Sequence, residues 1–426
     1  MKVFKFGGAS VSTAERIEGL VSILNGFRGE KILIIISAMG KTTNALEQVV
    51  QAFYEGNRTL ALELFAEVKR LHIDISQTLQ QRAGKAPDEL TAQRLADFFT
   101  EVEWLLHDKP VRDFDYYYDQ VVCIGELLST AIISGYLNEC GTNNAWLDVR
   151  DLLRTDDNFR DAKIDWTYTA AKVQEQILPL FAEQDLIITQ GFIGATDENE
   201  STTLGREGSD YTAAVFANLL DAESQTIWKD VPGVMNADPK QYSGAQWIRE
   251  LNYQEVIEMA YYGAQVIHPK TIKPLQNKNI PLYVRSFLHP GNEGTCIHHR
   301  TIYDLPPIIV YKHQQVLMEL KSKDFSFVGE GLTEEIYKIF AAIKFRPNLT
   351  QNGAISLLCV VDDHPEKVEA LALQASALFD VTVIKDLVLL TVRHYREDLV
   401  NELTANRRIL LRQQTPDTMQ IVSGEL

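Results

Sequence analysis

Three glycine-bearing segments with charged residues beside them mark where this chain could handle an anion. The first is Lys5-Phe6-Gly7-Gly8-Ala9-Ser10. Two consecutive glycines let backbone amides approach an anion closely, and the preceding lysine sets an ammonium next to it. A strand followed by a tight turn would look the same. The second, Ser37-Ala38-Met39-Gly40-Lys41-Thr42-Thr43-Asn44, contains the Gly-Lys-Thr of a P-loop. The glycine required five positions before Gly40 is Ile35, so the Walker pattern fails. What remains is a buried strand ending in small and hydroxyl residues, at the end where open α/β sheets bind ligands. The third joins Thr189-Gln190-Gly191-Phe192-Ile193-Gly194 to the loop Leu204-Gly205-Arg206-Glu207-Gly208-Ser209-Asp210-Tyr211-Thr212. That loop feeds a helix whose N-cap is predicted at Ser209 or Asp210. Arg206 offers a planar fork for a carboxylate, against the plainer reading of a solvated arginine and a capping aspartate.

Two further segments are weaker. Trp228-Lys229-Asp230-Val231-Pro232-Gly233 through Asp238-Pro239-Lys240 is a turn-rich strand exit that suits a nucleotide pocket or any loop. His268, before Pro269, reads as a backbone partner because no second histidine stands at ligand spacing. Cys296 with His298 and His299 lacks a second ligand pair, and no metal site is assigned.

These segments need elements to position them. Short apolar runs at residues 2–6, 31–37, 145–148, 185–190, 224–229 and 281–286 alternate with helical stretches. Continuous apolarity predicts strands covered on both faces, hence an α/β domain with a mostly parallel sheet between helices. A helical insertion is predicted over about 44–140, with Leu60, Leu64, Val68, Leu71, Ile75 and Leu79 on its buried face. The α/β domain is expected over 1–290 and a Pro/Gly-rich linker over 291–313. Residues 314–426 restart as two small α+β units, the second predicted to lack its closing helix and strand.

With 426 residues, the chain is long enough for two or three domains. Its 41 basic and 58 acidic side chains leave a net charge of −17, which argues against nucleic acid as a partner and requires any anionic ligand to meet a locally built positive site. Four cysteines without paired spacing predict reduced thiols and a cytoplasmic location. The most apolar uninterrupted run, Ile32 to Ile36, is far short of the roughly 20 residues of a membrane span, and Met1 to Gly8 does not form a signal peptide. A soluble protein with no membrane partner is expected.

Taken in order, the motifs resemble those of aspartate kinases in the amino-acid kinase superfamily. The matching pieces are Lys5 to Val11, Ser37 to Asn44, Gly125-Glu126, Asp148-Val149-Arg150 with Arg154-Thr155, Thr189 to Gly194, Leu204 to Thr212, Asp230 to Lys240 and Gly263 to Pro269. The likeness covers nearly all of residues 2–286, and the tail resembles the paired ACT regulatory modules of such enzymes. It implies transfer of the ATP γ-phosphoryl group to the side-chain carboxylate of L-aspartate, with Mg2+, as the first step towards lysine, threonine and methionine. It also implies a homodimer or larger assembly through the tail. Because the chain ends soon after the tail, no fused homoserine dehydrogenase is expected.

The resemblance further implies roles. Lys5 and Asp210 are catalytic, the aspartate orienting the lysine. Arg206 holds the substrate α-carboxylate, Glu126 its α-ammonium, and Thr43 and Ser209 orient it, with Ser37 and Phe192 on the same side. Lys5, Gly7, Gly8, Ser10, Lys229, Asp230, Met235, Lys240 and Gln265 fall to the nucleotide. Four positions depart from the family pattern: Glu207 for a glycine, Lys229 for a threonine, Met235 for a tyrosine and Gln265 for a lysine. Gln265 removes a charge near the phosphates, which Lys229 is expected to replace. The competing readings are a kinase for glutamate, an N-acyl amino acid, a carbamate or a nucleoside monophosphate, and a non-catalytic amino-acid sensor.

Overall fold

The chain opens as β1 (Lys2–Phe6), returns through α1 (Ala14–Asn25) and enters β2 (Ile32–Ile36), which is buried at every position. A strand apolar on both faces is stable only where helices cover both. The computed structural model describes every residue except 86, 87, 325 and 426. The described residues form two compact units. One comprises Met1–Val234, Trp247–Ile257 and Val266–Ile302; the other comprises Met235–Gln246, Glu258–Gln265 and Tyr303–Leu426. The boundary expected near 290 therefore misses two segments, 235–246 and 258–265, which group with the tail.

After β2 come α2 (Thr42–Tyr54), α3 (Arg58–Ala83), α4 (Glu89–His107), α5 (Phe114–Val122) and α6 (Ile124–Glu139), then the two-residue β3 (Ala145–Trp146). Helices α7 (Trp166–Lys172) and α8 (Leu178–Glu183), joined by a π-helical stretch, lead to β4 (Leu186–Gln190). A small hairpin of β5 (Ile193–Ala195) and β6 (Ser201–Thr203) precedes α9 (Gly208–Leu219) and β7 (Ser224–Lys229). Strand β8 (Glu250–Asn252), α10 (Tyr253–Tyr261), α11 (Pro269–Lys278), β9 (Leu282–Ser286) and β10 (Thr295–His298) follow.

The main sheet runs β3-β4-β2-β1-β7-β9-β10-β8, parallel throughout except for the β9–β10 pair. Lys5 lies opposite Ile35 of β2 and Ile227 of β7, and Ile36 lies opposite Gln190 of β4. The carboxyl ends of four adjacent strands are thus level at one edge of the sheet, where such sheets bind ligands. Strand β10 falls inside the stretch expected as linker. Its four residues are too few to show a period, yet they pair with β8 and β9.

The buried face of α3 is Ala61, Phe65, Val68, His72, Ser76 and Leu79, whereas Leu60 and Leu71 are exposed. The expected stripe is rotated because small and polar residues face the neighbouring helices. His72 sits there without exposure, its Nδ1 2.7 Å from the Val68 carbonyl oxygen, and burial lowers its pKa. Residues Phe114–Glu139 are long and apolar enough to span a bilayer, but 94% of the most apolar 18-residue window within them is buried inside the fold, as for a core helix.

The second unit is built on two 15-residue strands, β11 (Ile308–Ser322) and β14 (Phe379–Arg393). Between them lie α12 (Glu330–Ala342), β12 (Leu349–Asn352), β13 (Ser356–Asp362) and α13 (Pro365–Ala375); after them come α14 (Glu397–Thr404), β15 (Arg407–Gln414) and β16 (Thr418–Glu425). All six strands form one antiparallel sheet, β12-β13-β11-β14-β16-β15. Each long strand serves two ACT-like halves: β13 pairs with Gln315–Lys321 and β16 with Val388–Arg393. The closing strand expected to be missing from the second half is therefore present. It is Ile308–Lys312 of β11, paired with β14, and it precedes the first half in the chain. One helix, α14, accompanies that half among the described residues.

Candidate active site

A cavity of about 510 Å³ opens at the carboxyl ends of β1, β2, β4 and β7. Lys5 lines it near the end of β1, and a Cβ on Gly7 would lie 3.3 Å from the Lys5 Nζ, so the ammonium folds over the glycine turn. Gly8 meets the loop after β2: a Cβ there would lie 2.6 Å from the Ala38 carbonyl oxygen, which excludes any side chain. That approach brings Ser37, Ala38 and Gly40 into the wall. Thr43, second residue of α2, and Gly208, Ser209 and Asp210, the first three of α9, also line it. Two helix N-termini therefore begin at the cavity, an arrangement suited to an anion, with the amides of Thr42, Gly208 and Asp210 already bonded to the Met39, Gly205 and Glu207 carbonyls.

Lys5 Nζ stands 2.7 Å from Asp210 Oδ1, and both side chains are nearly buried. Burial alone would raise the Asp210 pKa, but Lys5 and then Lys229 outweigh it and hold the carboxyl below its usual range. Asp210 is thus a carboxylate that fixes the lysine. Lys229, at the end of β7, also lines the cavity, and its Nζ donates to the Val266 carbonyl oxygen at 2.8 Å.

Glu126 comes from the first turn of α6, where Ile124, Leu127 and Leu128 are fully buried beside it. Its Oε1 accepts the Ala38 amide at 3.1 Å, while Oε2 is buried without a hydrogen-bond partner. Burial pushes its pKa up to about 8, against smaller opposing effects of the Ala38 amide and Lys5. This is a carboxyl awaiting a donor. Arg206 lines the same cavity, exposed, and no hydrogen bond or ion pair engages its guanidinium among the described residues.

The structure thus brings together Lys5, Gly8, Ser37 and Thr43 with Glu126, Phe192, Arg206, Ser209, Asp210 and Lys229. Others stand apart. Ser10 is buried, its hydroxyl donating to the Trp228 carbonyl oxygen at 3.1 Å, so it ties the turn after β1 to β7 and does not line the cavity. Gly7 forms the turn beneath Lys5, and Asp230 is an exposed residue beyond β7. Met235, Lys240 and Gln265 belong to the other unit; Lys240 and Gln265 are exposed. The cap of α9 is Glu207 at φ 54°, without a side-chain hydrogen bond, in place of Ser209 or Asp210. His268 caps α11, accepting the Lys270 amide at 3.2 Å. Among the described residues no cluster of three or more His, Cys, Asp or Glu could hold a metal. Tyr118, Arg160 and Thr203 complete the wall and carry no motif of their own.

Residues 1–286 match the amino acid kinase family. The chain is 30% identical over 400 residues to the lysine-sensitive aspartokinase 3 of Escherichia coli K12, covering 92% of this chain and 86% of that one. It belongs to the aspartokinases of the amino acid kinase family. With the maize bifunctional aspartokinase/homoserine dehydrogenase 2 it shares 33% over 305 residues, spanning only 32% of that protein's length. The crystal structure of E. coli aspartokinase III in complex with aspartate and ADP superposes with a TM-score of 0.80 at 28% identity, covering 100% of this chain and 96% of that one. Family membership thus accounts for the parallel sheet with its level strand ends and for the ACT-like unit that follows it.

Proposed function

We infer that the protein transfers the γ-phosphoryl group of ATP to the side-chain carboxylate of L-aspartate, giving 4-phospho-L-aspartate and ADP. The observation that carries this reading is one cavity holding both an amino-acid grip and a phosphate grip. The unpartnered Glu126 Oε2 and the unengaged Arg206 suit the ammonium and carboxylate of a free amino acid, beside the Lys5–Asp210 pair and two helix N-termini. A side-chain carboxylate oxygen attacks the γ-phosphorus as the bond to the β–γ bridging oxygen breaks, and ADP leaves with that electron pair. No proton moves, so no general base is required, and catalysis rests on positioning and charge neutralisation. Lys5 meets the charge that develops on the transferred oxygens, held in place by Asp210. The hydroxyls of Thr43 and Ser209 orient the substrate, with Ser37 and Phe192 beside them. Gly8 and Lys229 serve the phosphates from within the cavity, whereas the nucleotide roles of Met235, Lys240 and Gln265 rest on family resemblance. Magnesium, entering with ATP, would keep mostly phosphate and water ligands, as that ion commonly does.

The same reading makes this the first step towards lysine, threonine and methionine, carried out in the cytoplasm by a homodimer. Support for self-association comes from β14: Phe379–Ile384 pairs only with β11 among the described residues, and Val383 and Ile384 are exposed there. The test is ADP release from Mg-ATP across a panel of acceptors. L-Aspartate should support turnover well above L-glutamate, N-acetylglutamate, carbamate or UMP. Equal or faster turnover of any of these would overturn the substrate assignment, and no turnover with any of them would favour a non-catalytic sensor.

A further inference from the structure

Tyr118, in the middle of α5, is a phenol in the cavity wall to which the reaction above gives no task. It is 9% exposed, and no hydrogen bond engages its hydroxyl among the described residues. A buried tyrosine hydroxyl ordinarily finds a partner. One left open at a binding cavity points to a ligand.

The ring, by contrast, is held. The Arg160 guanidinium lies over its face, 4.3 Å from the centroid, and the Phe114 ring lies 6.4 Å away, one turn earlier on α5. Arg160 is itself fixed at three points. Its guanidinium stands 3.1 Å from Asp115 and 3.7 Å from Glu47, and its backbone N–H donates to Asp119 Oδ2 at 2.9 Å. Asp119, fully buried next to Tyr118, also accepts the amide of Thr203 at 2.8 Å and its hydroxyl at 2.7 Å. At φ 67°, Arg160 occupies the left-handed region, which a residue with a side chain keeps only where its surroundings enforce it. The charge of Arg160 is thus spent on two carboxylates, and its planar face on the phenol.

The groups around that phenol suit a cation. Burial, and after it the Glu47 carboxylate, push its pKa up to about 12; Arg160 opposes the rise, and Asp119 and Glu126 add to it. At pH 7 it is therefore a neutral hydroxyl, whose oxygen can accept as well as donate. Tyr118 and Glu126 also project from one helical rod. Cys123, between α5 and α6, is itself helical at φ −56° and ψ −26°, and Glu126 follows Tyr118 by about two turns. An ammonium brings three N–H donors, whereas Glu126 offers one open oxygen, Oε2. A second acceptor is needed beside it.

We propose, resting on the aspartate reading above, that the Tyr118 hydroxyl is a further contact of the amino-acid substrate, its oxygen accepting a hydrogen bond from the α-ammonium beside Glu126. Arg160 is the positioning residue that holds the ring for that contact. Tyr118→Phe removes one oxygen and keeps the ring, while Arg160→Lys keeps the charge and loses the planar face. Both variants and the double variant are compared in the full chain. Aspartate affinity is read by calorimetry with ADP present, KM for aspartate and for ATP by turnover, and succinate, which lacks the ammonium, as a competitive inhibitor. Tyr118→Phe should weaken aspartate about tenfold, the scale of one hydrogen bond to a charged group. Its kcat, KM for ATP and inhibition by succinate should stay within about twofold of the parent, with Tm unchanged. Arg160→Lys should weaken aspartate about threefold in the parent and no further in the Tyr118→Phe background, where the oxygen it positions is already gone. Unchanged aspartate affinity in Tyr118→Phe, an equal loss for succinate, an equal rise in KM for ATP, or losses from the two changes that simply add would overturn the contact and leave the reaction standing. A parent protein that binds aspartate without turning it over would refute the reaction, and the calorimetric ratios of the same variants would still decide the contact. A parent that does not bind it would refute both.

Discussion

Glu126 ties the proposed chemistry to pH. Its pKa is pushed up to about 8 by burial, so in the ligand-free protein at pH 7 only about one molecule in ten carries the carboxylate that an ammonium requires. Each pH unit below 8 lowers that fraction tenfold, or about 1.4 kcal/mol of apparent binding. The assay is kcat/KM for aspartate between pH 6.5 and 8.5 at saturating Mg-ATP and constant ionic strength, which reports groups of the ATP-bound enzyme before aspartate binds. The logarithm of kcat/KM should rise with a slope approaching one and level off near pH 8, while Glu126→Gln should give a lower and level profile. The same shift acts on the fold. Because the folded value lies above the ordinary 4.5, the stabilisation is full below about 4.5 and lost as pH rises through about 8. The ligand-free parent should therefore lose Tm across that window relative to Glu126→Gln. A level profile for the parent, or an unchanged slope in Glu126→Gln, would show that the carboxylate is not what receives the substrate.

Two other residues separate chemistry from binding. Lys5→Ala should lower kcat by about 10²–10³, the scale of losing one electrostatic stabiliser, with KM for aspartate little changed; a rise in KM for ATP alone would make Lys5 a ground-state binder. Lys229→Thr should also cut kcat, and Gln265→Lys added to it should restore much of the loss, whereas near-normal turnover of the single variant would remove Lys229 from phosphate stabilisation.

Strand β2 was legible because it is apolar at every position and β4 because it opens Leu-Ile-Ile, a pattern that burial on both faces imposes, whereas β7 carries only Ile227 and Trp228 among polar residues. Strands β5, β6, β8 and β10 have three or four residues each, too few for a period to show, and their pairing is supplied by distant partners. The face of α3 was misread because a buried histidine and serine replace leucines on its packed side. In the tail, local patterns gave the helices, but that one strand serves two halves is a long-range pairing that chain order hides. At the site, glycine loops and charged residues following strands identified Lys5, Arg206 and Asp210. Glu126 was named from family likeness, since one carboxylate in an apolar helix announces only that it needs a partner. Tyr118, Arg160 and Thr203 come from separate elements, Arg160 and Thr203 meeting at the buried Asp119 and Arg160 lying over the Tyr118 ring, which no local spacing reveals.

The central claim is tested most directly by trapping the product. Purified protein incubated with Mg-ATP, L-aspartate and hydroxylamine should yield the side-chain hydroxamate of aspartate, identified by mass spectrometry, in amounts equal to the ADP released. ADP release without that hydroxamate, or a hydroxamate formed on the α-carboxylate, would contradict the account.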